Sequence, residues 1–251
     1  MVHVIYDGSF EGLFTAIFDI YAEKWKDATI CREGEEQAFL FGEKKIIYSD
    51  EEKAKRVWRK LNGLIGRDGL HMMRRVYLSE LPEMEQVILG CVRYILSENK
   101  DVLSNYGHAD VLRLIQINKM VGREKHRMEA FVRFQLTKDD IFYSVIDPDF
   151  NVLPLIIKHF ESRYADQRWL IYDSKRKYGI YHDLNATEFV DLTPTEDLKK
   201  PSANILNEGE TLYQTLWKDY FKSTNIKSRK NIKLQLQHMP KRYWKYLTEK
   251  Q

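Results

Sequence analysis

Cysteine is scarce in this chain of 251 residues, and the scarcity excludes several kinds of site. Only Cys31 and Cys91 are present. Two scattered cysteines cannot build a disulfide framework, a zinc site or an iron–sulfur cluster. We therefore expect no metal and no cofactor, and a reducing, cytoplasmic location.

Long hydrophobic runs are also missing. The mean hydropathy is −0.51, and the longest apolar runs cover only a few residues, so we expect no membrane-spanning segment. The N-terminal residues MVHVIYDGSFEG carry an acid at position 7 and lack the apolar core of a secretory signal. Hydrophobic residues make up 43% of the chain and charged residues 31%, a composition typical of a folded globular protein.

The sequence lacks the common catalytic signatures. It contains no GxSxG elbow, no HExxH pair, no GxGxxG or phosphate-binding loop, and no CxxxCxxC cluster motif. These absences leave open whether the chain is an enzyme, and they exclude a radical-SAM cluster within it.

An excess of one charge is missing overall but present locally. The net charge of +3, from 40 basic and 37 acidic residues, names no partner. Residues 214–251 nevertheless contain ten Lys and Arg against two acids, a net charge of +8, so the rest of the chain carries −5. This asymmetry predicts either a segment that faces a polyanion or a solvated helical face.

Hydrophobic periodicity predicts an α+β fold. Alternating apolar residues predict strands at residues 2–6, 130–136, 141–145, 168–173 and 177–182, and an extended stretch at 37–48 around a turn at 42–45. Helical spacing predicts helices that start near residues 10, 49, 67, 108, 152, 210 and 229. We expect an antiparallel sheet built from two hairpins plus the N-terminal strand, with helices on one face and a helical C-terminal tail.

Composition divides the chain into three parts. Residues 1–182 form the predicted α+β core, and residues 183–209, with two prolines and many polar residues, form a predicted linker. Residues 210–251 form a basic helical segment, which we expect to pack on the core as one domain. A capping box of Ser49 and Glu52 is expected to open a helix that runs to about Leu61.

The first candidate site lies where the opening strand gives way to a helix. Asp7, Ser9 and Glu11 place short polar side chains at one turn, and Asp7 or Glu11 is a candidate carboxylate base. The alternative is structural, since Ser9 or Asp7 can cap the helix and Glu11 favours the positive end of its dipole.

The second candidate is a charged cluster formed by Arg123, Glu124, His126 and Arg127 and reaching to Arg133. A carboxylate, an imidazole and guanidinium groups can bind phosphate or transfer protons. The alternative is an ion-pair network at a helix end. We predict that this cluster meets the first, so that Asp7 or Glu11 pairs with one of its arginines.

Two further motifs combine charge with aromatic rings. Asp166 and Arg168 precede a tryptophan, and ion pairing is the favoured interpretation. The basic tail contains a predicted nucleic-acid surface, in which cations contact phosphate and aromatic rings stack on bases. Its residues are Arg229, Lys230, Lys241, Arg242, Tyr243 and Trp244. The alternative has Tyr243 and Trp244 anchoring the tail while the lysines are merely solvated.

Four of these motifs occur in an order that resembles a known family. They read YDGSFEGLFTAIFDIYA, REKHRMEAFVRFQ, LPLIIKHFESRYADQRWLIYD and MPKRYWKYL. The set resembles a bacterial domain family of unknown function whose members are described as "probable DNA metabolism protein". The resemblance runs from about residue 1 to residue 248.

The resemblance implies a cellular context and supplies no catalytic residues. Relatives are encoded beside a radical-SAM protein assigned to DNA repair or modification, and some are fused to a uracil-DNA glycosylase-type domain. It therefore implies an accessory protein of DNA repair or DNA metabolism with a radical-SAM partner. The basic tail, from its charge, is the segment that could bind DNA. A nucleic-acid-processing enzyme that uses Asp7, Glu11, His126 and Arg127 is the alternative.

Overall fold

The computed structural model describes residues 1–35, 42–191, 206–224 and 232–250. The chain divides into two compact units, Met1–Gly122 and Arg123–Gln251, and each contains a sheet of its own. Mixed helix and strand confirm the predicted α+β class. The predicted single antiparallel sheet is wrong, because both sheets contain parallel strands.

The first unit is built on a three-stranded parallel sheet. Strand β1 (Val2–Tyr6) lies in the centre, between β2 (Ala28–Arg32) and β3 (Glu43–Ile46). A strand buried between two neighbours and under helices reads as an apolar run, which is the pattern of VHVIY. The N-terminal strand therefore does not join the hairpins, contrary to the prediction. Part of the predicted turn at 42–45 lies in β3, and residues 36–41 lie outside the described ranges.

Three helices complete most of the first unit. Helix α1 (Phe10–Ala22) connects β1 to β2, and α2 (Glu51–Tyr77) packs on α1. The side chain of Asp50, not of Ser49, caps α2, and α2 continues past the predicted end with a kink at Gly66. The helix continues because apolar side chains remain buried along its length, namely Leu61, Ile65, Leu70 and Met73. Helix α3 (Met84–Glu98) follows.

Helix α4 (Ala109–Phe131) contains the boundary between the two units. It extends into residues predicted as a strand, so that only Gln135–Leu136 remain extended as β4. The apolar residues of the segment around residue 130 fit both the periodicity of a strand and that of a helix. The helical one prevails because Leu114, Val121 and Met128, spaced by seven, are all buried.

The second unit contains a five-stranded sheet in the order β4-β5-β6-β7-β8. Its other strands are β5 (Phe142–Ile146), β6 (Trp169–Asp173), β7 (Tyr178–His182) and β8 (Thr187–Asp191). Both predicted hairpins are confirmed, as β4–β5 and β6–β7. Strands β5 and β6 are parallel, because helix α5 (Leu153–Arg163) lies between them in the chain and serves as a crossover.

The C-terminal part of the second unit is mainly helical. It contains α6 (Glu210–Thr224), α7 (Ile232–His238) and two 3₁₀ helices, Lys241–Tyr246 and Thr248–Lys250. The predicted last helix ends at His238, before Pro240, and residues 229–231 lie outside the described ranges. Strand β8 occupies part of the predicted linker, whose residues 192–205 also lie outside those ranges. No helix among the described residues has the length and apolar character needed to cross a membrane.

Candidate functional site

The turn after β1 holds a compact network of one carboxylate and two hydroxyls. Asp7 Oδ1 accepts hydrogen bonds from Ser9 Oγ at 2.7 Å and from Ser9 N at 2.9 Å. Ser49, which follows β3, donates to Asp7 Oδ2 at 2.6 Å. Ser9 Oγ also accepts from Gly12 N at 2.8 Å and so caps α1. Ser9 therefore caps the helix, which is the structural alternative that the sequence left open.

Glycine is required at two places around this network. Gly8 has φ +81°, a left-handed conformation that favours glycine. A Cβ on Gly12 would lie 2.2 Å from Asp7 Oδ1 and 2.8 Å from Ser49 Oγ, so any side chain there displaces the carboxylate. The backbone at Gly8 is fixed further by Tyr77, whose hydroxyl donates to Gly8 O at 2.7 Å.

A buried ion pair lies beside the same edge of the sheet. Glu85 of α3 is buried and accepts at Oε1 from Tyr6 OH and from Arg32 Nε, both at 2.9 Å. Tyr6 and Arg32 are the last residues of β1 and β2. Burial, and then the Glu85 carboxylate, raise the pKa of Tyr6. The carboxyl ends of parallel strands, where ligands of α/β proteins commonly bind, therefore gather Asp7, Arg32 and Ser49.

The electrostatics of Asp7 disfavour its use as a general base. Desolvation alone would raise its pKa, but the hydrogen bonds from Ser49 and Ser9 outweigh it and hold the pKa below its ordinary value. A base is most effective when its pKa lies near the working pH. Glu11 is exposed in the first turn of α1, where the positive end of the helix dipole stabilises a carboxylate.

The charged cluster in the second unit is organised by Glu124, whose side chain is only 1% exposed. Its carboxylate accepts from Tyr243 OH at 2.5 Å, Asp149 N at 2.9 Å and Arg242 Nη2 at 3.0 Å. Arg127 Nη1 lies at 3.4 Å. The cluster and the C-terminal motif, which the sequence treated as separate candidates, therefore share one buried carboxylate.

A second ion pair joins the charged cluster to the C-terminal residues. In this pair the cluster supplies the arginine and the C-terminal residues supply the carboxylate. Arg133 donates to Glu249 at 2.8 Å and 3.3 Å, and Trp217 Nε1 donates to the same carboxylate at 2.9 Å. Burial would raise the pKa of Glu249, but the hydrogen bonds from Arg133 and Trp217 lower it overall. Each segment thus supplies a carboxylate and an arginine to the other.

Above this buried network, six charged side chains line an open cleft. They are Asp147, Asp149, Lys175, Lys241, Arg242 and Lys245. The aspartates follow β5 and Lys175 follows β6, so the cleft sits at the carboxyl ends of the parallel pair. Arg242 pairs with Asp149 at 2.7 Å and Lys245 with Asp147 at 2.8 Å. Four cations against two carboxylates leave an excess of positive charge.

The turn that carries Lys175 is held by a second buried acid. Asp173 accepts from Lys175 N at 2.9 Å and Arg176 N at 3.1 Å, and pairs with Arg176 Nη1 at 2.9 Å. Burial raises the pKa of Asp173, against the opposing effect of Arg176. Lys175 Nζ donates to Asp149 O at 3.1 Å, which directs this lysine across the cleft.

The aromatic residues of the C-terminal motif are engaged within the unit. Tyr243 is buried and anchors the segment, as the structural alternative required, and burial, followed by Glu124, raises its pKa. Trp244 Nε1 donates to Met239 O at 3.1 Å, and Lys250 Nζ lies 5.0 Å from the centre of its ring. Tyr243 is therefore closed to a base, and a cation already lies over the ring of the half-buried Trp244.

The remaining predicted site residues lie on the surface. Arg123, Asp166 and Arg168 are exposed, and Arg168 donates to Asp139 O at 3.3 Å. The His126 side chain is 85% exposed, 3.7 Å from Glu129. Arg229 and Lys230 lie outside the described residues. Among the described residues, no group of three His, Cys, Asp or Glu side chains is placed to hold a metal ion.

The predicted pairing of Asp7 or Glu11 with Arg123, Arg127 or Arg133 joins residues of different units, and it stays a prediction. Within the second unit, Arg127 and Arg133 have the carboxylate partners described above.

Sequence reasoning missed several residues that organise both sites. Arg32, Ser49, Tyr77 and Glu85 are single polar residues in separate segments, and no motif connects them. One available signal was Glu85, because a carboxylate inside the apolar run MEQVIL needs a buried partner. Lys175 and Asp149 lie between predicted elements, where no motif marks them as site residues.

The sequence matches the model of a known protein family. The model of a domain of unknown function, DUF4130, matches residues 82–249, which is more than half of the chain. The matched region includes Glu124, Arg127, Lys241, Arg242 and Tyr243. No curated protein matches the sequence significantly.

Proposed function

The chain belongs to the DUF4130 family of domains of unknown function, and we propose that it is an accessory protein of DNA metabolism whose second unit binds the DNA backbone. The observation that carries this proposal is the cleft at the carboxyl ends of β5 and β6, with its excess of cations. Phosphate contacts by Lys and Arg supply most of the sequence-independent affinity of a DNA-binding protein.

Two of the four cations are best placed to contact phosphate. Arg242 and Lys245 already pair with aspartates, whereas Lys241 is exposed at the start of the 3₁₀ helix and Lys175 reaches over the cleft from the β6–β7 turn. The aspartate next to Lys245 raises the pKa of this lysine through a hydrogen bond, so it stays charged at neutral pH. A phosphate in the cleft would meet positive charge on two sides.

The engaged aromatic rings define the kind of binding we propose. Because Tyr243 is buried and a cation lies over Trp244, we expect the cleft to contribute affinity through the DNA backbone and not through stacking of bases on these two rings. Binding is therefore independent of sequence, and duplex and single-stranded DNA bind through the same contacts. This differs from the stacking surface expected from the sequence.

The experiment is a salt titration of binding to a labelled duplex, measured by fluorescence anisotropy. We expect the logarithm of the affinity to fall linearly with the logarithm of the salt concentration, and Lys241→Ala to flatten the slope by about 0.9 for one lost phosphate contact. Lys175→Ala should act similarly. The matched control is Lys100→Ala, an exposed lysine of the first unit that changes the net charge equally.

If Lys100→Ala and Lys241→Ala weaken DNA binding equally, the loss of affinity reflects net charge alone. That result would contradict the cleft as the binding site. Absence of binding at low salt would refute direct DNA binding. Deleting residues 210–251 is not a suitable test, because the deletion removes Tyr243 and Leu247 from the core and takes two donors, Tyr243 and Arg242, from the buried Glu124.

The proposed protein partner is a radical-SAM enzyme of DNA repair or modification. Support for it comes from the resemblance of the four ordered motifs. Affinity purification of the tagged chain from its native cells, with and without nuclease, tests it. Recovery of a radical-SAM protein after nuclease treatment is the expected result, and recovery only without nuclease would mean that DNA alone bridges the two proteins.

The nucleic-acid-processing alternative has weaker support from the described residues. Asp7 has a pKa below its ordinary value, which makes it a poor base near neutral pH. The imidazole of His126 is 85% exposed and does not line the cleft described above. Binding therefore accounts for more of the geometry than catalysis does.

A further inference from the structure

A groove of about 480 Å³ lies between helices α1, α2 and α3 of the first unit. Its volume falls within the range of small-molecule sites, about 300–1,000 Å³. Aliphatic side chains form much of its lining. Val57 and Leu96 are half-buried, and Ile17 and Leu61 are fully buried. The groove, called the α1–α3 groove below, therefore offers an aliphatic surface that is partly open to solvent.

One cation is held at this groove by an aromatic ring. The guanidinium carbon of Arg56 lies 4.9 Å from the centre of the Phe18 ring, a distance at which the ring attracts a cation. The acid next to Phe18 has a cation of its own, because Asp19 pairs with Lys53 at 2.8 Å. Arg56 has no ion-pair partner in the part of the chain that the structure describes. Its positive charge is therefore uncompensated.

A second cation lies on the same side of α2. Lys60 follows Arg56 by four residues, which is about one helical turn, and both side chains line the groove. Lys60 Nζ donates to Asn99 Oδ1 at 3.0 Å, and this neutral acceptor leaves the charge of the lysine in place. Two cations one turn apart can contact the same anionic group. The groove thus combines an aliphatic surface with a site for one negative charge.

We propose that the α1–α3 groove binds a free carboxylate with an unbranched aliphatic chain, such as a medium-chain fatty acid. Its carboxylate contacts Arg56 and Lys60, and its chain covers Val57 and Leu96. Arginine presents two donors in a fixed fork that matches a carboxylate, and hydrogen bonds to charged groups are stronger than neutral ones.

The shape and the lining of the groove favour this occupant over other anions with an apolar part. A phospholipid with two acyl chains is larger than a groove of about 480 Å³. The Phe18 ring already has the Arg56 guanidinium beside it, and the remaining lining is mainly aliphatic, which suits a chain more than a ring. The groove belongs to the first unit, so the proposal does not depend on DNA binding by the second.

Isothermal titration calorimetry of the full chain with hexanoate, octanoate and decanoate, each below its micelle concentration, tests the proposal. We expect saturable binding of one molecule, with an affinity that rises by up to about fourfold for each methylene added. The uncharged 1-octanol has the same chain length as octanoate but lacks the carboxylate. It should bind at least about tenfold more weakly, because it loses the charged hydrogen bonds.

Two variants separate the charge from the chain. Arg56→Gln should weaken octanoate binding at least about tenfold and leave 1-octanol binding unchanged, which also shows that the groove is still folded. Val57→Thr keeps the shape of the side chain but adds a hydroxyl, so it should weaken both ligands alike. The matched control is Arg59→Gln, because Arg59 is an exposed arginine of α2 that does not line the groove.

Three results would overturn the proposal. The first is an absence of saturable decanoate binding, and the second is an equal loss of octanoate affinity in Arg56→Gln and Arg59→Gln. The third is binding to vesicles of anionic phospholipid without binding of monomeric decanoate, which would make the groove a membrane contact. An affinity that does not change from hexanoate to decanoate would refute the aliphatic part of the site.

Discussion

The Tyr243 hydroxyl donates a hydrogen bond to the buried carboxylate of Glu124 across 119 positions of the chain. Arg242 donates to the same carboxylate, so two adjacent residues near the C-terminus satisfy one acid of α4. A buried charge without partners costs several kcal/mol. This contact therefore makes the C-terminal segment part of the fold of the second unit.

Tyr243→Phe should lower the free energy of unfolding by about 1–3 kcal/mol, because it removes a donor from a buried acceptor. Glu124→Ala should cost more, because it removes the acceptor of the Tyr243 hydroxyl and of Asp149 N at once, and each buried donor left without an acceptor costs about 1–3 kcal/mol. Urea denaturation followed by circular dichroism measures both.

The matched control for Glu124 is Glu129→Ala on the same helix. Glu129 pairs with Lys125 at 2.8 Å in an i,i+4 arrangement, and such pairs contribute about 0.3–0.5 kcal/mol. Equal losses for the two glutamate variants would contradict the special role of Glu124.

Gly12→Ala should destabilise the first unit although alanine is the better helix former. The new Cβ would lie 2.2 Å from Asp7 Oδ1, so the carboxylate must move and release its hydroxyl donors. Gly63→Ala in α2 is the control, since a Cβ there meets nothing within 4 Å. It should instead stabilise the protein by about 0.5–1 kcal/mol through helix propensity. Thermal unfolding of both variants gives the comparison, and two shifts of the same sign would refute the steric argument.

Glu249 should make stability depend on pH in the acid range. Its pKa in the folded protein is lowered, so its contribution is complete above the unfolded value of about 4.3 and is lost as the pH falls through the folded pKa. Wild type should therefore lose more stability than Glu249→Gln between about pH 5 and pH 3. Denaturation at several pH values measures this difference, and parallel curves would exclude the effect.

Cys91 should be unreactive in the native protein. Burial, followed by the nearby Asp110 carboxylate, raises its pKa to about 12, and the thiolate is the reactive form. Cys31 is buried as well. Titration with a thiol reagent should detect two thiols in denaturant and none within the same time without it. Rapid labelling of the folded chain at Cys91 would contradict its burial.

The elements that the sequence predicted well are those with one clear periodicity. The hairpin β6–β7 falls where alternation and turn residues agree. The parallel pairing of β5 and β6 was missed although a helix was predicted between them, because adjacent hairpins suggested one antiparallel meander. Strand β3 lies within the stretch predicted to be extended, but residues 43–45 were assigned to a turn because EKKI is polar and follows Gly42. Pairing with β1 makes these residues a strand.

The candidate site was predictable where charged residues cluster in the chain. Arg127, Arg242 and Lys241 were named from local patterns, and the structure places all three in one unit. The central role of Glu124 was not predictable, because it depends on a partner 118 positions away. Periodicity reports burial of a face, but it does not report which distant donor satisfies a buried acid.

The reciprocal contacts between α4 and the C-terminus have a consequence for biosynthesis. Glu124 and Arg133 leave the ribosome well before their partners Arg242 and Glu249 are translated, more than 100 codons later. The nascent second unit therefore cannot complete its packing around Glu124 until Arg242 and Tyr243 have been synthesised. A product truncated before Arg242 would keep a buried acid that has lost two of its donors, Arg242 and Tyr243, and its weaker folding should make it a substrate for proteases.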